Sequence, residues 1–319
     1  MSNESQAAAG GRRVLLTGAT GFIGRNCIAP LVSRGFEVIA VCNSRTPDTI
    51  EGVRWVQADL LAAGASRRLI EQTRPTHLLH LAWYVEPGKM ITSPDNLAWV
   101  CASLEMLRAF HEAGGQRCVF GGSCYEYDWR HGYCVEGLTP LTPDTLYGAA
   151  KAGLAQAMQG YCASVGLSGA WSRLFFLYGP HENPRRLVPS VLLSLLDGKE
   201  ALSSHGLQIR DYMHVRDAAE GLVALLDSTA RGVYNVASGA ALTIREIVEA
   251  LGELTGRSDL LRLGALPARA NDAPLVVADV QAARRDFGWN AAIGLHEGLR
   301  DTLDWWRAQR AATTGIDKR

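Results

Sequence analysis

The sequence predicts an α/β fold, a doubly wound parallel sheet with a smaller C-terminal α/β lobe. Three observations predict it. Short β-rich runs alternate with helical stretches through the first half, glycines at 18, 21 and 24 follow the first of these runs, and the rhythm loosens after Pro180 before one late strand returns. Parallel strands need crossover helices over both faces of the sheet, and the alternation supplies them. With 319 residues, 47% of them hydrophobic, the chain can bury a large core and exceeds the size at which single cores usually divide.

Taken in order, RVLLTG opens the sheet and hands over to a helix from about Phe22. FEVIAVC, VRWVQAD, THLLHLA and RCVFGGS read as the next strands, and GLSGAWSRLFFLYG as one more running up to Pro180. GVYNVAS returns to the sheet before a helix opened by Thr243. The predicted large domain is therefore 12–177 plus a return strand at about 231–240, the lobe is 178–230 and 241–306, and 1–11 and 311–319 are expected to be flexible tails.

Lysine plus arginine equal aspartate plus glutamate at 32 each. No global field draws the chain to nucleic acid or an anionic membrane, so a small-molecule partner is expected. The seven cysteines form an odd set without C-x-x-C or Cys/His ligand spacing, which argues against a disulfide framework and against a metal site. A reducing cytoplasm fits that usage. No apolar run reaches the length of a membrane span, and the first residues lack the apolar stretch of a secretory signal.

LLTGATGFIG places Gly18, Gly21 and Gly24 between a buried strand and a helix start, the Rossmann dinucleotide fingerprint. The first glycine permits the tight turn, the second a close approach of pyrophosphate to the backbone, the third close packing of helix on strand. Phe22 and Ile23 lie in the first turn of that helix, whose free N–H groups attract phosphate. An acid ending the second strand would select NAD by accepting from the ribose 2′-OH. Cys42 stands there, followed by Asn43, Ser44 and Arg45, a set better suited to a 2′-phosphate, so NADP is favoured with NAD possible. Asp59 and Leu60 are placed for the adenine, and Leu81 and Ala82 lie beneath the dinucleotide.

Tyr147 and Lys151 in LYGAAKAGL lie four apart on a predicted helix and so share one face. A neighbouring ammonium stabilises phenolate and lowers the tyrosine pKa from its ordinary ~10, making it a usable acid and base. Ser123, ending RCVFGG, falls at the C-terminal sheet edge where open α/β sheets bind ligands. Its hydroxyl can hold the oxygen that Tyr147 protonates or deprotonates. Trp83, Tyr84 and Trp99 could stack on a ligand or fill the core, and core filling suits Trp99 on its predicted helix. His181 and His214 are given no role.

Together TGATGFIG, GGSCYEY, YGAAK, LYGP, QIRDYMHVRDAA and GVYNVASG resemble the NAD-dependent epimerase/dehydratase family of nucleotide-sugar enzymes, extended short-chain dehydrogenases, over about residues 12–306. The resemblance implies catalysis by Ser123, Tyr147 and Lys151, with Tyr147 and Lys151 also on the cofactor. It further implies substrate contacts from Cys124, Tyr125, Arg186 and Val188, and phosphate contacts from Arg210 and Arg269. Pairing of helices near 94–113 and 146–165 into a homodimer is expected on the same ground.

Dehydratases of the family carry Asp-Glu where this chain has Cys124 and Tyr125, so dehydration is not expected. GDP-fucose synthases carry a cysteine and a histidine where Tyr125 and Arg186 stand. What remains is redox at one sugar carbon. The NADP-leaning pocket points to a reductase of a nucleotide-linked 4-keto sugar, with an NAD-dependent 4-epimerase as the nearest alternative. An NADPH-dependent aldehyde reductase and a nonenzymatic NADP sensor are the more distant ones. Phe176 departs from the family, which usually has an asparagine there against the bound sugar nucleotide.

Overall fold

The computed structural model describes residues 11–44, 47–268 and 272–316. Its first part runs β1 (Arg13–Thr17), α1 (Phe22–Ser33), β2 (Glu37–Cys42), β3 (Val53–Gln57), α2 (Ala65–Thr73), β4 (His77–His80), α3 (Asp95–Glu112) and β5 (Arg117–Ser123). Then follow β6 (Tyr133–Cys134), α4 (Leu146–Val165), β7 (Ser168–Leu174), β8 (Phe176–Tyr178), α5 (Leu187–Leu196), β9 (Ala201–Ser203), β10 (Ile209–Arg210) and β11 (Tyr212–His214). The last part is α6 (Val215–Asp227), β12 (Gly232–Val236), β13 (Leu242–Thr243), α7 (Ile244–Thr255), β14 (Leu261–Leu263), β15 (Leu275–Ala278), α8 (Gln281–Phe287) and α9 (Leu295–Ile316).

Seven parallel strands in the order β12-β7-β5-β4-β1-β2-β3 form the large sheet. Alternate residues of each strand face opposite sides, so Val14, Leu16 and Val38 pack with α1 and α6 while Leu15, Ile39 and Leu78 pack with α2, α3 and α4. The return strand lies where expected, β12 beside β7. A third core unites α5, α7 and α9, with β10, β13, β15 and β6 forming a small mixed sheet beside it.

The structure divides GLSGAWSRLFFLYG. β7 stops at Leu174, and β8 leaves the large sheet to pair with β11, register Phe176 to Tyr212. The break carries the chain from one lobe to the other and turns Phe176 toward the cleft. α6, inside the stretch 178–230, packs against α1 on the large sheet, so that stretch serves both lobes. The expected C-terminal tail is helical as far as Ile316, whereas the N-terminal tail lies almost wholly outside the described residues. Thr243 caps α7 as read from the sequence, in a reciprocal box with Glu246. Among the described residues no helix is long and apolar enough to cross a membrane.

Candidate active site

A buried polar chain sets the ends of β1 and β4 side by side. Thr17 Oγ1 accepts from the Leu81 and Ala82 amides at 3.1 and 3.2 Å and meets His80 Nδ1 at 2.7 Å, while His80 Nε2 meets Ser103 Oγ at 2.9 Å. Burial, and next the Lys151 charge, push the His80 imidazole down to about 3, so it is neutral. Against this frame Gly18 adopts φ 69°, and a Cβ on it would meet Ala82 N at 2.8 Å. A Cβ on Gly24 would lie 2.1 Å from Gly18 O. Only glycine fits either place. α1 then starts after Gly21 with no side-chain cap, leaving its first amides directed at an incoming anion.

A cavity of about 680 Å³ lies over the C-terminal ends of these strands. Gly18, Gly21, Phe22, Ile23 and Gly24 form one wall, with Asn43, Asp59, Leu60, Leu81 and Ala82 continuing it. Ser123, Cys124, Tyr125, Tyr147, Lys151 and Arg186 line the other end. A glycine turn with no room for a side chain, an uncapped helix start and an elongated cavity fit a dinucleotide.

Three expected residues lie elsewhere. Ser44 is exposed outside the cavity wall, where Gln57 Nε2 donates to its carbonyl and that of Asn43 at 3.1 Å each. Val188 is fully buried in the α5–α7–α9 core, because its place on the amphipathic face of α5 turns it inward. Arg210 is 4% exposed and absent from the cavity wall; it pairs with Asp272 and donates to Ile209 O at 2.8 Å. Its guanidinium also stands 5.7 Å from the centre of the Phe176 ring at the edge of the cavity. Arg45 and Arg269 lie outside the described residues.

The residues expected to react come from two elements locked together. Ser123 ends β5 and caps the turn that follows, its Oγ accepting from Tyr125 N at 3.3 Å while Glu126 accepts from Ser123 N at 2.7 Å. Tyr147 sits in the first turn of α4, capped by Thr145, and hydrogen-bonds Ser123 through its side chain. Lys151, one turn on, donates to Gly121 O at 2.7 Å and holds its ammonium 3.7 Å from the centre of the Trp83 ring. Burial pushes it down to about 7, with Glu126 pulling the other way. The same burial pushes the Tyr147 phenol up, with only the Ser123 hydrogen bond opposing. The Lys151 ammonium itself is directed at the Gly121 carbonyl and the Trp83 ring. Cys124 is held far above its ordinary range, first by burial and then by Cys134 and Asp211, so its thiol stays protonated and unreactive.

Some of the cleft was not read from the sequence. Trp99 is half-buried, packs against the core as expected, and also stacks on Trp83 with ring centres 6.2 Å apart and lines the cavity. His181, left without a role, lines it too, at φ 71°, its Nδ1 2.7 Å from Arg25 Nη1. Phe176 stacks on Tyr212 at 5.5 Å, giving the substrate end an aromatic wall. Glu182 completes this side. A lone histidine or glutamate after a turn carries no periodic signal, and only the path of β8 brings them to the cleft.

This combination defines a class, a dinucleotide-dependent enzyme of the extended short-chain dehydrogenase type. Residues 14–237 match the model of the NAD dependent epimerase/dehydratase family, and the chain belongs to that family. It is 28% identical to UDP-glucose 4-epimerase 4 of Oryza sativa subsp. japonica across 94% of this chain and 91% of that one. Among solved structures it resembles UDP-glucose 4-epimerase of Thermus thermophilus in complex with NAD, with a TM-score of 0.80, 28% identity and coverage of 92% and 99% of the two chains. It also resembles MoeE5 in complex with UDP-glucuronic acid and NAD, with a TM-score of 0.80, 29% identity and coverage of 93% and 99%.

Proposed function

We propose that the chain is an NAD-dependent 4-epimerase of a nucleotide-linked hexose. The observation that carries the reading is the convergence of Ser123, Tyr147 and Lys151 on the cavity of the glycine loop, where the dehydratase acid and base positions hold an inert thiol and a phenol, Cys124 and Tyr125. Such a site supports redox at one carbon and no elimination. The ketoreductase expected from the segment after β2 loses ground because the epimerases it resembles carry that name, and because Ser44 lies outside the cavity wall. NAD is accordingly the cofactor of this reading.

When bound, the nicotinamide supplies a hydride acceptor that returns what it takes. Ser123 Oγ holds the sugar hydroxyl, and Tyr147, acting as phenolate, takes its proton as the carbinol hydrogen departs. Lys151, one turn on, supplies the positive charge that favours that phenolate. For the return step the same tyrosine gives its proton back to the carbonyl oxygen while the sugar presents its other face. The aromatic wall of Phe176 and Tyr212 offers apolar contacts that permit this turn, since stacking has little directional demand.

Incubation with UDP-galactose and UDP-glucose tests the reading. Tyr147→Phe is expected to lower kcat by about 10²–10⁴-fold while NAD is retained. A variant that keeps wild-type turnover would remove Tyr147 from the chemistry.

A further inference from the structure

Glu182 is a buried carboxyl in the cavity wall that the mechanism above does not use. The chain reaches it through a sharp turn, Gly179 at φ 145° and His181 at φ 71°, closed by a hydrogen bond from Glu182 N to Gly179 O at 3.3 Å. His181 is pinned there by Arg25 and packs on Trp305 with ring centres 4.5 Å apart, so the position of Glu182 is fixed from both lobes. The side chain is only 6% exposed. Its carboxyl takes one hydrogen bond from the Gly179 backbone, and its Oε2 is buried with no partner.

Arg186 stands one turn further and turns its Nη2 to Met90, 3.7 Å from Sδ, so its charge acts on the carboxyl from a distance. Burial pushes the carboxyl up to about 8, with Arg186 and the Gly179 hydrogen bond pulling down, so it is largely neutral at pH 7 and can both accept and donate. Phe176 and Tyr212 stand in the same wall and give it an aromatic face beside this carboxyl. An unpaired buried polar atom costs stability and is retained where a ligand uses it.

We propose that Glu182 is the specificity residue of the substrate end, hydrogen-bonding a hydroxyl of the sugar in the nucleotide-linked substrate. This assignment rests on the sugar-nucleotide reading above. A wall of aromatic faces contributes affinity with little discrimination, whereas a buried polar group left unpaired by the wrong sugar discriminates strongly. Ser123 then selects the hydroxyl that reacts, and Glu182 a second hydroxyl that sets how the ring lies against Phe176.

The test uses the full chain with NAD bound, comparing wild type with Glu182→Leu and Glu182→Gln by thermal melting, NAD binding, and kcat and KM for UDP-galactose and UDP-glucose. Loss of one such hydrogen bond is expected to raise KM about tenfold in Glu182→Leu, with a smaller fall in kcat. The same variant is expected to melt higher than wild type, because a buried unpaired carboxyl is gone. Glu182→Gln, which keeps an acceptor and a donor, is expected to recover most of the KM. A Glu182→Leu variant with unchanged KM beside an active wild type overturns the assignment alone. So does one that melts lower and loses NAD as well, which marks Glu182 as structural. Wild type that neither binds nor turns over either sugar nucleotide overturns both this assignment and the epimerase reading.

Discussion

Lys151 is 6% exposed, and its ammonium faces the Gly121 carbonyl and the Trp83 and Trp171 rings. Its folded pKa, about 7, lies below the ~10.4 of an unfolded lysine. Between those values the unfolded chain binds more protons, so stability rises with pH across that window, and the penalty is fully present below it. Lys151→Met is therefore expected to melt above wild type near about pH 6, with the gap closing towards about pH 10, while kcat falls by roughly 10²-fold or more. Melts at the two pH values beside a turnover assay check this. A variant less stable at both would mean that the ammonium holds the site together. Ser123, Tyr147 and Lys151 were legible because their spacing and their place at a strand end are local properties. Their charge states were not, since burial and the direction of the lysine depend on Trp83 and Gly121, which distant segments bring in.

Two elements, the turn after β5 and the first turn of α4, carry the reacting groups, and their contact is unusually close. A Cβ on Gly148 would lie 2.1 Å from the Tyr125 carbonyl oxygen, so Gly148→Ala must push α4 away from the turn that holds Ser123. The expected outcome is a loss of about 1–3 kcal/mol, measured by urea unfolding, and a fall in kcat out of proportion to any change in NAD binding. Beneath the same turn, Glu126 takes hydrogen bonds from Ser123 N, Trp171 Nε1 at 2.9 Å and Arg173 Nε at 2.7 Å, and the Glu126–Arg173 pair is 0% and 3% exposed. Glu126→Gln would leave Arg173 buried and uncompensated, a cost of about 3–5 kcal/mol in the same unfolding experiment. A loss under 1 kcal/mol would show that Tyr127, whose hydroxyl takes a 3.0 Å hydrogen bond from Arg173, is partner enough. The β-rich runs were readable from their composition and alternation with helical stretches, and α3 and α4 stand where helices were expected, near 94–113 and 146–165. The division between β7 and β8 was not, because an unbroken apolar run hides the point at which a strand changes sheets.

Across the whole molecule the proposed catalytic groups lie on the large sheet and its helices, while the segment after β8 brings Glu182 and Arg186 over them from the lobe side. The glycine loop was legible since Gly24 answers to the Gly18 backbone within one strand-turn-helix unit, whereas the Ala82 amide that crowds Gly18 arrives from the end of β4. The Asp272 partner of Arg210 was not legible, since only the packing of the β10–β15 sheet brings the two side chains together. The central claim, a site that oxidises and re-reduces one sugar carbon with a retained NAD, is tested most directly by one measurement. Protein purified without added nucleotide is denatured to release its cofactor, and a matched sample is given UDP-galactose while absorbance and sugar composition are followed. The account predicts released NAD and formation of UDP-glucose with no net change in cofactor. Exchangeable NADPH consumed in step with a nucleotide-linked 4-keto sugar, and no interconversion of the two UDP-hexoses, would contradict it.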